Sequence, residues 1–311
     1  MRVLFHRVVA PYRLVRGEII RQAQQELKRA GFDPLALDGV YGSDTVNALK
    51  PWQSANNLPA SGQIDIATWT RLMRPDIPSL FHRCLQLTAE FEGTGFGKVV
   101  GNFDGAWLTW GIIGFTMSNG ELQRLLGEVA QKHPQLFAQA FGELAQAMRS
   151  VLHATPSQQR DWANSISMGT DKYNVRPEWA AAFAALGAFP EVQALQLARA
   201  ENRYWATALR DVARFGLVSE LGYALCFDIA VQNGGIEAHE EQRIRQLAAA
   251  HPPANEQALR VMIGDVVAED SAPKWVEDVR RRKRTIATGD GEVHGSRYLV
   301  AAWGLAEEPA G

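Results

Sequence analysis

Two carboxylates and a hydroxyl between Glu92 and Phe115 have the types and spacing to do chemistry. Asp104 follows Glu92 by twelve residues, and Thr109 follows Asp104 by five. Cleaving a glycosidic bond needs an acid to protonate the leaving oxygen. It also needs a carboxylate to activate water or stabilise positive charge at the anomeric carbon. Glu92 ends an apolar run from Leu85 to Phe91, which predicts the last turns of a buried helix. Asp104 sits in a segment rich in glycine and aromatics, which predicts a loop or a short irregular hairpin. A helix end and a hairpin can hold two carboxyls on opposite sides of a cleft. The pair alone does not decide the matter. The chain has 34 Asp and Glu, and the same residues would serve as a solvated acid at a helix end and an Asp turning with Gly105.

The elements that must position these groups follow from size and patterning. At 311 residues the chain is long enough for two domains, each with its own core. Apolar residues make up 46% and charged residues 21%, ordinary for a globular protein. A net charge of −2 excludes a global basic field, and no nucleic-acid partner is expected. Cys84 and Cys226 lie far apart in apolar runs and are expected as buried free thiols. No metal-ligand spacing and no cofactor motif is present. Met1–Ala10 is broken by His6 and Arg7, so it makes a poor export signal and is too short to span a bilayer. The chain is therefore expected to be made in a cytoplasm without a signal peptide and not to insert in a membrane.

A helix is expected from Gly17 to Ala30, where Ile19, Ile20, Ala23, Leu27 and Ala30 share a face. A second should be capped by Ser43 or Asp44 and kinked or broken at Pro51. A third should run from Ala67 to Met73 behind Asp65. Arg74–Pro78, with two prolines, reads as a stiff linker across which few contacts pass. Beyond it come a helix from Ser79 to Glu90, a turn at Ser118–Gly120 and a helix from Glu121 to Lys132. Further helices are expected from Pro134 to Leu152, from Asp161, from Pro177 to Leu186 and from Glu191 to Val212. Gly216–Val231 is nearly wholly apolar and predicts a helix buried on all sides. Asp228 within it must be paired if buried. Gly289–Gly295 reads as a turn-rich loop, and Tyr298–Leu305 as a tail around Trp303 that packs back. The histidines at 133, 153, 251 and 294 are expected at the surface or in loops.

Leu-Thr-Ala-Glu-Phe-Glu-Gly-Thr, followed by Asp104-Gly105-Ala-Trp-Leu-Thr109-Trp-Gly111-Ile-Ile113-Gly114-Phe115, resembles the catalytic core of the family 46 chitosanases of the lysozyme-like superfamily. The resemblance implies Glu92 as general acid, Asp104 as general base in an inverting mechanism, and Thr109 as a group placing the attacking water. Glu121 falls where that family has an acidic substrate-binding residue. Asn102 and Trp107, in the same segment, are assigned to the substrate as well. The chain departs from the family at Ala106, where a basic side chain is usual, and in the shorter gap between the two acids. The stretch Phe227-Asp-Ile-Ala-Val-Gln-Asn-Gly resembles the family's central helix, whose Asp pairs with a late Arg. Arg282 is the best candidate partner for Asp228.

Residues 14–73 resemble the three-helix peptidoglycan-binding module of many cell-wall hydrolases. The match is carried by Asp38-Gly39, Gly42, Thr45, Ala48, Trp52-Gln53, Leu58, Gly62, Asp65, Thr68-Trp69 and Leu72. Asp38, Tyr41, Thr45, Trp52, Gln53 and Trp69 are taken as its ligand-facing set, although most of these positions also suit a structural role.

The fold expected is mainly α. A peptidoglycan-binding domain occupies 1–76, and a lysozyme-like α-rich glycoside hydrolase domain with a small irregular β-hairpin occupies 79–311. A wall module tethered to such a core raises the local concentration of catalyst at the polymer. The joint reading is a monomeric peptidoglycan hydrolase of the muramidase type. It would reach the wall from the cytoplasm through a holin, as endolysins do, or by injection as an effector. The alternatives are a chitosanase and a non-catalytic wall-binding or tail-associated protein.

Overall fold

Apolar residues recurring every three or four positions make this a mainly helical chain with only short antiparallel strand pairs. The structure is a computed structural model and describes residues 2–73, 77–93 and 95–310. Arg74, Pro75 and Asp76 of the expected linker lie outside the described residues. In chain order the helices are α1 (Glu18–Arg29), α2 (Ser43–Ala55), α3 (Ile66–Met73), α4 (Leu80–Phe91), α5 (Glu121–Lys132) and α6 (Pro134–Phe141). Next come α7 (Ala145–Leu152), α8 (Pro156–Ile166), α9 (Pro177–Gly187), α10 (Pro190–Ala200) and α11 (Ala206–Phe215). The last are α12 (Glu220–Asn233), α13 (Ala238–Ala250), α14 (Glu256–Glu269) and α15 (Val276–Thr288). The strands are β1 (Val3–Phe5), β2 (Ile64–Asp65), β3 (Val99–Val100), β4 (Thr109–Trp110), β5 (Phe115–Thr116), β6 (Ser167–Met168), β7 (Asn174–Val175), β8 (Asp290–Val293) and β9 (Ser296–Leu299).

One structural unit joins Met1–Phe91 to Tyr204–Gly311. Its N-terminal module is built on two buried glutamines. Gln24 Nε2 donates to Asp38 Oδ1 at 3.0 Å and to Thr45 Oγ1 at 3.0 Å, while its Oε1 accepts from Gly39 N. Gln53 Nε2 donates to Gln63 O at 2.8 Å and Thr68 Oγ1 at 3.0 Å, and its Oε1 accepts from Gly62 N. Each amide thus satisfies a turn that would otherwise bury unpaired backbone. Helix α2 starts at Ser43 behind Gly42, with no side-chain cap, and runs through Pro51 unbroken. The cap expected from Ser43 or Asp44 and the break at Pro51 are both corrected. Asp65 Oδ1 accepts from Thr68 N at 2.7 Å and does cap α3.

The core of this unit is α12, buried along nearly its whole length and capped by the Ser219 hydroxyl. It packs on α4, α11, α14 and α15. Cys84 and Cys226 are buried free thiols. The expected loop at Gly289–Gly295 is instead the hairpin β8–β9, turned by His294 and Gly295, both in the left-handed region. A two-residue turn with positive φ at both positions matches strand twist, which the bare glycine count did not convey.

The expectation of few contacts between the module and the rest is also corrected. Leu4 O lies so close to Gly304 that a Cβ there would meet it at 2.4 Å. Arg2 pairs with the buried Glu220, which also holds Arg83 at 2.5 Å. Tyr12 Oη donates to Asp290 at 2.7 Å. Residues on both sides of the linker therefore share one packed unit.

The second unit is Glu92–Arg203. Its sheet runs β3-β4-β5, antiparallel, with Thr109 opposite Val100 and Thr116. Trp110 is fully buried, donates to Phe183 O at 3.2 Å and lies 5.6 Å from the Phe183 ring. The single helix expected over Pro134–Leu152 is split at Gly142, whose φ of 51° ends α6 before α7 begins. Helix α8 starts five residues before the expected Asp161. Thr155 and Gln158 form a capping box there with Pro156 at the first turn, a signal present in the sequence.

Candidate active site

Glu92 follows the last turn of α4 in a turn with Gly93 and is half-buried. Asp104 lies exposed in the loop between β3 and β4. Its Oδ1 accepts from Ala106 N at 3.0 Å, a local turn that leaves the second oxygen outside this bond. Gly105 has φ 91° and Trp107, without the excuse of a missing Cβ, has φ 66°. Such a backbone persists only when its surroundings fix it, and Asn102 provides the bracing. Asn102 Oδ1 accepts from Trp107 N at 2.9 Å, its Nδ2 donates to Asn164 Oδ1 at 2.9 Å, and its backbone N donates to Ser167 Oγ at 3.0 Å. Asn102, assigned to substrate from sequence, thus holds the Asp104 loop. Trp107 is half-buried at that loop, and Thr109 stands half-buried on β4.

A second brace was not legible from the motif. Gln196 on α10 is fully buried. Its Oε1 accepts from Ile112 N at 2.9 Å, and its Nε2 donates to Phe96 O at 2.9 Å. At Gly111, φ 96°, a Cβ would meet that Oε1 at 2.6 Å. One amide therefore ties the segment after Glu92 to the segment after Thr109. The sequence offered one signal, a glutamine in an otherwise apolar stretch of helix.

Two other acids close in sequence pair with arginines. Glu90 is held by Arg13 and lies 3.8 Å from Arg16. Glu121 is fully buried, with Arg124 at 2.5 Å, Arg199 at 2.8 Å and Arg203 at 2.9 Å. The assignment of Glu121 to substrate is corrected, because its carboxylate is enclosed by guanidinium groups.

Beside Asp104, Phe103 and Tyr173 are 48% and 39% exposed, with ring centroids 5.2 Å apart. Lys98 Nζ lies 5.5 Å from the Tyr173 ring. Exposed rings of this kind can take the apolar face of a pyranose.

In the other unit the structure brings Asp228 and Arg282 together and adds Lys283. Arg282 reaches Asp228 at 2.7 Å and 3.0 Å, Lys283 at 2.7 Å, and Thr88 donates at 3.2 Å. Burial pushes the Asp228 carboxyl up, but Arg282 and Lys283 outweigh it and hold it down to about 2. Five of the six residues assigned to the module's ligand are framework. Tyr41 is fully buried and donates to Gly62 O, while Thr45, Trp52, Gln53 and Trp69 are at most 3% exposed. Asp38 stays lower than an ordinary carboxyl through Gln24 and the Val40 amide. The ligand-facing roles given to Tyr41, Thr45, Trp52, Gln53 and Trp69 are corrected, whereas Asp38 is exposed.

The profile described as Glycosyl hydrolase family 46 matches residues 88–259, more than half of the chain. The chain belongs to glycosyl hydrolase family 46. As a family 46 member it is a glycoside hydrolase, and both Glu92 and Asp104 fall inside the matched span. Residues 16–72 match a putative peptidoglycan binding domain. Among solved structures, a mutant chitosanase from Bacillus subtilis MY002 complexed with 6 GlcN is similar at 16% identity and TM-score 0.50, over 71% of this chain and 98% of that one. The native chitosanase from the same organism gives 18% identity and TM-score 0.49, over 68% and 86%. A Gynuella sunshinyii family 46 chitosanase in complex with chitotetraose gives 14% and 0.46, over 69% and 88%. At these identities the likeness concerns the fold. No curated protein matches.

Proposed function

We propose that this family 46 hydrolase cleaves β-1,4-linked amino-sugar polymers by acid–base catalysis. Glu92 protonates the leaving glycosidic oxygen. Asp104 takes a proton from water as it attacks the anomeric carbon, and Thr109 helps to position that water. The observation that carries this reading is the Asp104 loop: Asp104 is exposed on a turn braced by Asn102, and Glu92, in the same structural unit, sits at a helix end before a glycine. Glu92→Gln and Asp104→Asn should each abolish release of reducing ends, while Glu90→Gln should retain it. Loss of activity in Glu90→Gln with activity kept in Glu92→Gln would move the acid to Glu90.

The polymer itself has two readings. Chitosan is supported by the family 46 core and by the similar fold of the Bacillus subtilis MY002 chitosanase complexed with 6 GlcN. The peptidoglycan strand, cut as a muramidase cuts it, is favoured by the wall-binding match at residues 16–72. It is favoured also by charge, since the second unit carries ten carboxylates against nine lysines and arginines, an even balance for a polymer of free amines. Reducing-end release from purified chitosan and from purified peptidoglycan separates the two. On the peptidoglycan reading the chain works at the wall after release or injection.

A further inference from the structure

Glu121 is compensated beyond what burial requires. A buried carboxylate needs one well-placed partner, and Arg199, 20% exposed and 2.8 Å away, supplies it. Arg124 and Arg203 also converge on Glu121, yet their side chains are 58% and 55% exposed. Glu128 is also in reach, 4.0 Å from Arg199. Arg203 lies on a π-helical turn over Glu201–Trp205, an irregularity that recurs at functional sites. The cluster adjoins the Asp104 turn, for Ser118 N donates to Ala106 O at 3.1 Å and Met117 N to Leu108 O at 2.8 Å, immediately before α5.

We propose that Arg124, Arg199 and Arg203 form an anion-accepting subsite beside the Asp104 loop, so that the glycan taken here carries carboxylates. The proposal rests on the hydrolase reading above and chooses between its polymers. A peptidoglycan strand bears lactyl and stem-peptide carboxylates, which the exposed guanidinium groups attract. A chitosan strand bears ammonium groups, which they repel. Glu121 is the internal anchor that orders the three arginines, and Arg124 and Arg203 carry the charge to the surface.

The test uses the full chain with Arg124→Gln, Arg203→Gln and the double variant. KM is measured on purified peptidoglycan and on soluble chitosan. Removing each charge should raise KM on peptidoglycan by about two- to fivefold and lower it on chitosan by a similar factor, the size of an exposed ion pair, with kcat little changed. About 0.5 M salt should erase both effects, and Arg124→Lys should restore the parent values. Calorimetric titration with a soluble muropeptide should show the same weakening. No change in the double variant, or a change in the same direction on both polymers, overturns the proposal. A parent that hydrolyses neither polymer refutes the hydrolase reading instead, and the muropeptide titration then still tests the subsite. Unchanged melting temperatures show that the variants fold.

Discussion

Replacing Asp228 with Asn should be among the most damaging single changes in this chain, and its pH dependence should identify the cause. The carboxylate is fully buried, and so are its partners Arg282 and Lys283, at 2% and 0% exposure. Neutralising it takes the negative charge away from the two buried cations that it holds. Breaking one buried pair in this way costs about 3–5 kcal/mol, and Asp228 pairs with two buried cations at once, which places the expected loss at the upper end. The linkage is equally specific. The carboxyl is held down to about 2 from 3.8, so its pairing contributes about 2 kcal/mol through proton linkage, at 1.36 kcal/mol for each pH unit. Because the folded value is depressed, that contribution is complete above about pH 4 and is lost as pH falls through 2. Urea unfolding followed by tryptophan fluorescence at pH 7, 4 and 2 measures both quantities. The gap between parent and Asp228→Asn should be widest at pH 7 and should narrow by about 2 kcal/mol at pH 2. A triple variant with Leu at 228 and Met at 282 and 283 should recover much of the loss, since apolar replacements remove the desolvation cost altogether. A gap below about 1 kcal/mol at neutral pH, or one that stays constant down to pH 2, would refute the argument.

Four further outcomes are expected. Glu92→Gln and Asp104→Asn should each remove hydrolysis while melting as the parent does, and Glu90→Gln should stay active but lose a little stability with its Arg13 pair. Gln196→Leu should strand the Ile112 amide and the Phe96 carbonyl, costing about 1–3 kcal/mol for each unsatisfied group and disordering the Asp104 segment, which thermal melts and kcat would both register. Phe103→Ala, alone and with Tyr173→Ala, should raise KM for long oligosaccharides with kcat nearly unchanged, and an unaltered KM would remove the rings from sugar binding. Expressing residues 79–311 alone should give an aggregation-prone product, because truncation uncovers the surface against Leu4 and removes the Arg2–Glu220 pair; a monomeric, melting-competent fragment in size-exclusion chromatography would count against this.

The sequence was most informative where the physics is local. The helix from Glu121 to Lys132 starts after a turn of Ser, Asn and Gly and ends at a proline. The apolar run around Asp228 required burial and hence a partner. What it did not convey depends on where distant side chains meet. Glu121 has the chemistry of a substrate ligand, and only the arrival of Arg199 and Arg203 from the end of another helix shows that it is enclosed. Tyr41, Trp52 and Trp69 look like recognition residues because they are aromatic near turns, but the module is small and needs them for its own core. The prolines of the linker suggested independence, whereas β1 and the Val300–Trp303 turn pack together across nearly the whole length of the chain. Gln196 shows the same limitation, since its two hydrogen bonds join residues about 80 and 100 positions away.

The interleaving of the two units sets an order of folding. Glu92–Arg203 is continuous in sequence and holds its own buried aromatic cluster, so during synthesis it can collapse as soon as it emerges. The other unit cannot. Helix α4 exists early, but the helix that covers it, α12, is made only after the whole inserted segment, and Arg282 and Lys283, which neutralise Asp228, come later still. Until then α4 exposes an apolar face and α12 carries an uncompensated acid. The nascent protein therefore spends its longest interval with a finished lobe and an unfinished frame. Its slow step should be the long-range docking of α12, α14 and α15 rather than formation of any helix. Chaperones that recognise exposed apolar helices would act on this species, and mutations in α15 should delay folding more than mutations of similar cost in α6.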